Sequence, residues 1–424
     1  MVVSVTPSIP NGEIKAIASK SVAHRLLICA AFGDKHTRIR CEETNDDIEA
    51  TAACLSALGA KIVRRGTYYE VSPIAPAEVQ KNAALPCKES GSTLRFLIPV
   101  VAALGAESSF IMEGRLPERP LSPLREELEA HGIVFSYEKS NVLKIKGKLL
   151  GDSFSIDGGV SSQFISGLLF AMTLLEQKAT LTVTGNIGSA PYISITEDVL
   201  GLFDARPEKK GKVYSVKADT RLISPQALDV EGDWSNAAFP LCLGILGKGA
   251  VRVNGLNALS SQGDAQIVSL IKNFGGSIST AENGSFTAKH SKLHATDIDA
   301  QNIPDLVPIL AVLASVSEGT TRIYGASRLK LKESDRLMSV CSLLSTLGAD
   351  IKQTDDGLII NGRPSLTGGR ISSYNDHRIA MSAAVAACVC SSAVIIDGAE
   401  AVQKSYPSFW DDMRSLGIIC DTLT

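Results

Sequence analysis

Leu58-Gly59-Ala60-Lys61-Ile62-Val63 ends a helix and starts a strand, and the 424-residue chain does this six times. The other five joints are His131-Gly132-Ile133, Phe203-Asp204-Ala205, Phe274-Gly275-Gly276, Leu347-Gly348-Ala349 and Leu416-Gly417-Ile418. Their central positions lie 73, 72, 71, 73 and 69 residues apart. A steady period of this kind marks a repeated architecture. Glycine suits the left-handed position that stops a helix, and aspartate visits that region more readily than most residues. Each repeat therefore reads as strands mixed with two helices. The segments 92–104, 306–316 and 379–390 are apolar nearly all round. Helices of that kind are buried rather than amphipathic. The expected fold class is α/β, with helices inside and sheets outside.

Composition narrows the function. The chain is 45% hydrophobic and 21% charged, an ordinary globular balance. Its length suggests two to three domains. A net charge of −3 gives no general attraction for nucleic acid or an anionic membrane, so any anion site must be local. The nine cysteines are scattered without a framework, which points to a reducing, cytoplasmic setting. Met1 to Glu13 shows no signal peptide, and the apolar stretch near Phe96–Ala106 is too short to span a bilayer. His290 and His294 are four apart but bring no third metal ligand. The absence of a G-x-x-x-x-G-K-[ST] loop disfavours a P-loop ATPase or kinase.

The chemistry-bearing segments share one design. Lys330-Leu331-Lys332-Glu333-Ser334-Asp335-Arg336-Leu337 crowds cations and carboxylates into what reads as the first turn of an apolar helix. Helical spacing would put Glu333 and Arg336 on one face. A helix N-terminus adds free N–H groups and a positive field. A salt-bridged, solvated turn is the plain alternative. However, Lys20-Ser21-Val22-Ala23-His24-Arg25, Glu89-Ser90-Gly91-Ser92-Thr93-Leu94-Arg95, Ser161-Ser162-Gln163-Phe164 and Asn375-Asp376-His377-Arg378 open further apolar helices in the same way. Five such segments point to one highly anionic ligand set.

Taken in order, these segments resemble the 5-enolpyruvylshikimate-3-phosphate synthase family of enolpyruvyl transferases. The resemblance runs from about Lys20 to Pro407. Its most specific blocks are Leu331–Leu337 and Tyr374–Met381, supported by Ser161–Phe164 and Pro117-Glu118-Arg119-Pro120. It implies a two-domain inside-out α/β barrel, each domain built of three similar β/α units with buried helices. One domain would span 20–231 and carry mainly the shikimate 3-phosphate side. The other would join 1–19 to 232–424 and carry mainly the phosphoenolpyruvate and proton-transfer residues. The helix N-termini would face one cleft, which closes when shikimate 3-phosphate binds.

The implied reaction moves the enolpyruvyl group of phosphoenolpyruvate to the 5-hydroxyl of shikimate 3-phosphate, by addition and elimination through a tetrahedral intermediate. No metal or cofactor is implied, and a monomer suffices. By resemblance, Lys20, Gly91, Arg119, Gln163, Arg336, Arg378 and Lys404 hold phosphoenolpyruvate. Lys20, Ser21, Arg25, Ser161, Ser162, Gln163, Ser189, Asp305 and Lys332 hold shikimate 3-phosphate, with Tyr192 packing on its ring. Asp305 is the base for the 5-hydroxyl, Glu333 serves the methylene carbon, and Lys20 shares either transfer. His377 is expected to be structural. The chain departs from the family pattern at Ile17-Ala18, Glu89, Ala190 and Arg328, which puts local contacts there in doubt. Gly91 is kept, implying room for the inhibitor glyphosate.

Two rival readings compete with this one. A sister family transfers enolpyruvyl to UDP-N-acetylglucosamine and carries a cysteine in a mobile loop. Here no cysteine lies between Cys87 and Cys242. A non-catalytic anion-binding repeat protein would keep the cations without needing Asp305 and Glu333 together.

Overall fold

The computed structural model describes residues 1–281 and 283–423. Contacts divide the chain into an inserted unit, Ala18–Val230, and a host unit made of Met1–Ile17 and Glu231–Thr424. The inserted unit carries helices α1 (Lys20–Ala31), α2 (Asp46–Leu58), α3 (Gly91–Leu104), α4 (Leu124–Ala130), α5 (Ser162–Met172) and α6 (Ala190–Leu202). The host unit carries α7 (Trp234–Leu246), α8 (Ile267–Asn273), α9 (Val307–Ser315), α10 (Arg336–Thr346), α11 (His377–Ala386) and α12 (Phe409–Ser415).

Each unit holds three four-stranded sheets of one pattern, a parallel pair followed by two antiparallel steps. In the inserted unit, Ala83–Lys88 runs parallel to Ser108–Met112, which pairs antiparallel with Val142–Lys146 and then Val134–Lys139. In the host unit, Gly369–Ser372 runs parallel to Val394–Asp397, which pairs antiparallel with Val2–Thr6 and then Ile419–Leu423. There the first strand of the chain completes the last repeat. Alternation sets the outer and inner faces: Phe154 and Ile156 point in, while Ser153, Ser155 and Asp157 face out.

The six repeat joints share one closure. Gly59, Gly132, Asp204, Gly275, Gly348 and Gly417 all have positive φ, Asp204 at 56°. In each, the joint residue's N–H returns to the carbonyl three residues back. The next residue's N–H returns five back, as in Ala60 to Leu55 and Ala205 to Leu200. These paired bonds satisfy the last helical carbonyls and turn the chain into the next strand.

The apolar helices lie at the core. Every residue of α7, α9 and α11 is buried, and most of α3 and α5 with them. α3 and α5 touch at Gly167, where a Cβ would meet the Arg95 carbonyl at 2.5 Å and Pro99 Cγ at 3.1 Å. That close approach brings the N-termini of the two helices side by side. Polar caps fix those starts: Ser90 accepts the Thr93 amide, Ser161 that of Gln163, Asp335 that of Met338 and Asp376 that of Arg378. Each such cap contributes about 1 kcal/mol.

One local expectation changes. The charges of Lys330–Asp335 do not lie in the first turn of α10. The helix begins at Arg336, capped by Asp335, and a 3₁₀ turn covers Ser327–Leu331. Asp335 caps better than it propagates, since its side chain competes for backbone N–H groups.

Candidate active site

In the inserted unit two groups of predicted residues form. The first surrounds the start of α3. Gly91 is buried, and a Cβ there would lie 2.6 Å from Arg119 Nη1 and 2.9 Å from Arg95 Nη1. Both guanidiniums therefore lie against bare backbone. Arg119 Nε is buried with no hydrogen-bond partner among the described residues. Gln163 links α5 to this group: its amide donates to Ser92 Oγ at 2.9 Å and accepts from Arg95 Nη1 at 3.0 Å. Arg95 also donates to the Pro120 carbonyl at 3.1 Å, beside Arg119.

The second group surrounds the start of α1. Lys20 Nζ donates to Asp47 Oδ2 at 2.8 Å, each side chain 15% exposed. Asp47 sits in the first turn of α2, where the helix field favours an acid. Arg25 is buried and donates to Thr196 Oγ1 at 2.7 Å and to the carbonyls of Ser21 at 2.6 Å and Tyr192 at 2.8 Å. Its guanidinium lies 4.8 Å from the Phe96 ring centroid. Burial pulls the Arg25 pKa down to about 9, opposed by Tyr192 and Cys29. Ser189 takes a left-handed conformation, φ 56°, just before α6, and is buried. Ser161 caps α5, and Ser162 follows it, buried, at the helix start. Tyr192 uses its backbone on Arg25 and packs partly buried against the core.

In the host unit a charge network centres on Arg336. It is 1% exposed and donates to Asp376 at 2.8 Å, Asp305 at 2.7 Å and Glu333 at 2.6 Å. Burial alone would lower the Arg336 pKa. Asp376, Glu333 and Asp305 outweigh that and raise it above the usual arginine range. Asp305 is also approached by Lys332 at 3.6 Å and Arg378 at 3.3 Å. Arg378 donates to Ser235 Oγ at 2.9 Å, and Ser235 in turn donates to the α7 cap Asp233 at 2.6 Å. Lys404 closes a 3₁₀ turn and donates to the Asn375 carbonyl at 2.7 Å. Asn375 and Tyr374 are both left-handed, φ 55° and 53°. Two such residues in succession store strain next to the cations. His377 is buried at the start of α11, with Nδ1 3.9 Å from Asp376.

The Asp305 carboxylate is thus held by cations from two helix starts. Guanidinium forks suit a phosphate or carboxylate ligand as well as the protein acids they now hold. Sequence reasoning missed Asp47, Arg95, Ser235, Asp233 and the central role of Asp376. Arg95 was legible, four residues after Gly91 on the same helix face. Asp47 carried no signal beyond a common acidic first turn. Of the departures, Glu89 sets its carboxylate against the Gly114 backbone, and Arg328 donates to the Gln301 carbonyl at 2.5 Å. Burial lowers the Arg328 pKa, with Asp305 opposing.

Among the described residues all nine cysteines are free, and no helix is long and apolar enough to cross a membrane. No cluster of three or more potential metal ligands occurs among them.

The chain is similar to known proteins over nearly its whole length. The family model for EPSP synthase (3-phosphoshikimate 1-carboxyvinyltransferase) matches residues 6–413. A 3-phosphoshikimate 1-carboxyvinyltransferase of Clostridium kluyveri is 41% identical over 416 residues, covering 98% of this chain and 97% of the relative. That of Clostridium acetobutylicum is 40% identical over 420 residues, covering 98% and 97%. Among solved structures, an EPSP synthase from Acinetobacter baumannii superposes with a TM-score of 0.83 at 24% identity, covering 99% of this chain and all of that one. Sequence and fold agree over almost the whole length: the chain belongs to the EPSP synthase (3-phosphoshikimate 1-carboxyvinyltransferase) family.

Proposed function

We propose that this chain performs its 3-phosphoshikimate 1-carboxyvinyl transfer, a step of the shikimate pathway, with the residue roles set out here. From the inserted unit, Arg119, the Gly91 backbone, Gln163 and Lys20 act on phosphoenolpyruvate. From the host unit, Arg336, Arg378 and Lys404 do so. Shikimate 3-phosphate is taken by Lys20, Ser21, Arg25, Ser161, Ser162, Gln163 and Ser189, with Asp305 and Lys332. The division follows the chain: 20–231 serves mainly shikimate 3-phosphate, and 1–19 with 232–424 mainly phosphoenolpyruvate and the protons.

The observation that carries this reading is that Arg336 holds Asp305 and Glu333 together. The reaction needs two proton carriers and a fixed cation. Asp305 takes the proton of the 5-hydroxyl as it attacks C2 of phosphoenolpyruvate. Glu333 delivers a proton to the methylene carbon, giving a tetrahedral adduct. In the elimination, Glu333 withdraws a proton from the new methyl group as the C–O bond to phosphate breaks, and the proton held by Asp305 passes to the departing phosphate. Lys20, paired with Asp47, assists either transfer. Such groups contribute about 10²–10⁴-fold each. The protein works as a monomer in the cytoplasm.

The test is phosphate release from phosphoenolpyruvate with either shikimate 3-phosphate or UDP-N-acetylglucosamine as acceptor. Release only with shikimate 3-phosphate is expected. Release with UDP-N-acetylglucosamine alone overturns the acceptor assignment.

A further inference from the structure

Three buried residues from three helices form a hydrogen-bonded line that the transfer reaction does not call for. His24 Nδ1 in α1 lies 2.6 Å from Thr51 Oγ1 in α2. Thr51 Oγ1 lies 2.6 Å from Thr93 Oγ1 in α3. Thr93 Oγ1 donates to Ser90 Oγ at 2.8 Å, and Ser90 Oγ also caps the Thr93 amide at 3.3 Å. His24, Thr51 and Thr93 are each 0% exposed. His24 Nε2 is buried without a partner among the described residues.

The proton order follows from counting. Each hydroxyl has one proton to give. Thr93 gives its proton to Ser90, so it accepts from Thr51. Thr51 has then spent its own and accepts from His24. The proton of the ring therefore sits on Nδ1, and Nε2 is a bare acceptor. The reverse order would leave a buried N–H with no acceptor, the costlier orphan. Burial, with Lys20 and Arg25 adding positive charge nearby, keeps the His24 pKa well below its usual value.

We propose that His24 is a positioning residue for the phosphoenolpyruvate side of the reaction, acting through Thr51 and Thr93 on the Ser90 cap and the Gly91 backbone that faces Arg119 and Arg95. The proposal rests on the roles given above to Gly91 and Arg119. The line ends at the Gly91 turn, so it ties that ligand-facing helix start to a core shared with α1 and α2. Thr93 Oγ1 also lies 3.5 Å from the carbonyl of Asp47, the partner of Lys20. Small displacements at such points are costly, because catalysis depends on fixed geometry.

The experiment compares His24→Leu, His24→Asn, Thr51→Val and the double variant His24→Leu/Thr51→Val in the full chain. His24→Leu and Thr51→Val are each expected to raise KM for phosphoenolpyruvate about fivefold, the scale of one lost buried hydrogen bond. KM for shikimate 3-phosphate should stay within about twofold. The double variant should be no worse than the poorer single one, since the line is already broken. The Asn amide can donate where Nδ1–H donates, so His24→Asn should restore most of the loss. Equal changes in both KM values, or additive losses, overturn the positioning role alone. No wild-type turnover with either acceptor sinks the reading of the reaction, and the role with it. Ring ¹⁵N signals of His24 in the free protein test the line independently of turnover. An Nδ1-protonated ring that does not titrate from pH ~8 to ~5.5 is expected. An Nε2-protonated ring, or one titrating near its ordinary value, overturns the line.

Discussion

Arg336 Nη1 donates to the Asp305 carboxylate at 2.7 Å, with the arginine 1% and the aspartate 15% exposed. The same guanidinium serves Glu333 and the fully buried Asp376. It is therefore a counter-charge common to three acids of the host unit. Removing it takes the guanidinium from the buried Asp376 and from Glu333, while Asp305 keeps Lys332 and Arg378. Removing one acid leaves the arginine with two others.

That asymmetry predicts opposite outcomes for the two partners. Arg336→Met should lower unfolding free energy by about 3–5 kcal/mol, the range for breaking a buried pair from one side. Asp305→Asn should cost less than about 1 kcal/mol, since the amide oxygen can still accept. Its turnover should nonetheless fall by about 10²–10⁴-fold. Urea unfolding and phosphate release, run on the same preparations, separate the two effects. Equal destabilisation by both variants would contradict the asymmetry.

Glu333→Gln probes the second acid. The amide keeps an acceptor for Arg336 but cannot exchange the methylene proton. Shikimate 3-phosphate binding by calorimetry should stay within about twofold, while turnover falls about 10²–10⁴-fold. Normal turnover would remove Glu333 from the mechanism.

Gly91→Ala tests the close approach at α3. The added Cβ would sit 2.6 Å from Arg119 Nη1, 3.0 Å from Arg119 Cζ and 2.9 Å from Arg95 Nη1. These are the mobile ends of long side chains, so the fold should survive while both guanidiniums move. KM for phosphoenolpyruvate should rise about tenfold, or ~1.4 kcal/mol, with shikimate 3-phosphate affected less. The wild type should be inhibited by millimolar glyphosate and the variant less so. Unchanged KM and inhibition would show that the two arginines do not depend on this spacing.

The period-70 joints were legible because a helix stop is a local event: one left-handed residue and two backbone bonds. Asp204 keeps the same geometry as the five glycines, so even the exception could be read. Buried helices were equally plain, since α9 has no polar face to hide. The start of α10 was misplaced because a run of charges does not say which residue caps. Asp335 and Glu333 look alike in sequence, and only the Asp335 carboxylate reaches the Met338 amide. Partners brought from distant segments left no local trace. Lys20 with Asp47 and Arg378 with Ser235 depend on tertiary packing, and neither spacing follows a helix or strand period.

The buried His24 sets a pH dependence of stability. In the unfolded chain its imidazole titrates near 6.5, whereas burial in the fold lowers that value well below. Between the two values the unfolded chain binds a proton and the folded chain does not. Stability from this group is therefore complete above about pH 6.5 and falls as the pH drops below it, by at most ~1.4 kcal/mol per pH unit. His24→Asn has no such group, and the other five histidines are common to both proteins. The stability difference between wild type and His24→Asn should thus shift in favour of the variant as pH falls from about 7.5 to about 5. Parallel stability curves over that range would mean that the folded protein admits the proton at His24. The ring would then carry a proton on Nε2 as well, and the neutral ring with a bare Nε2 at the head of the line would not exist.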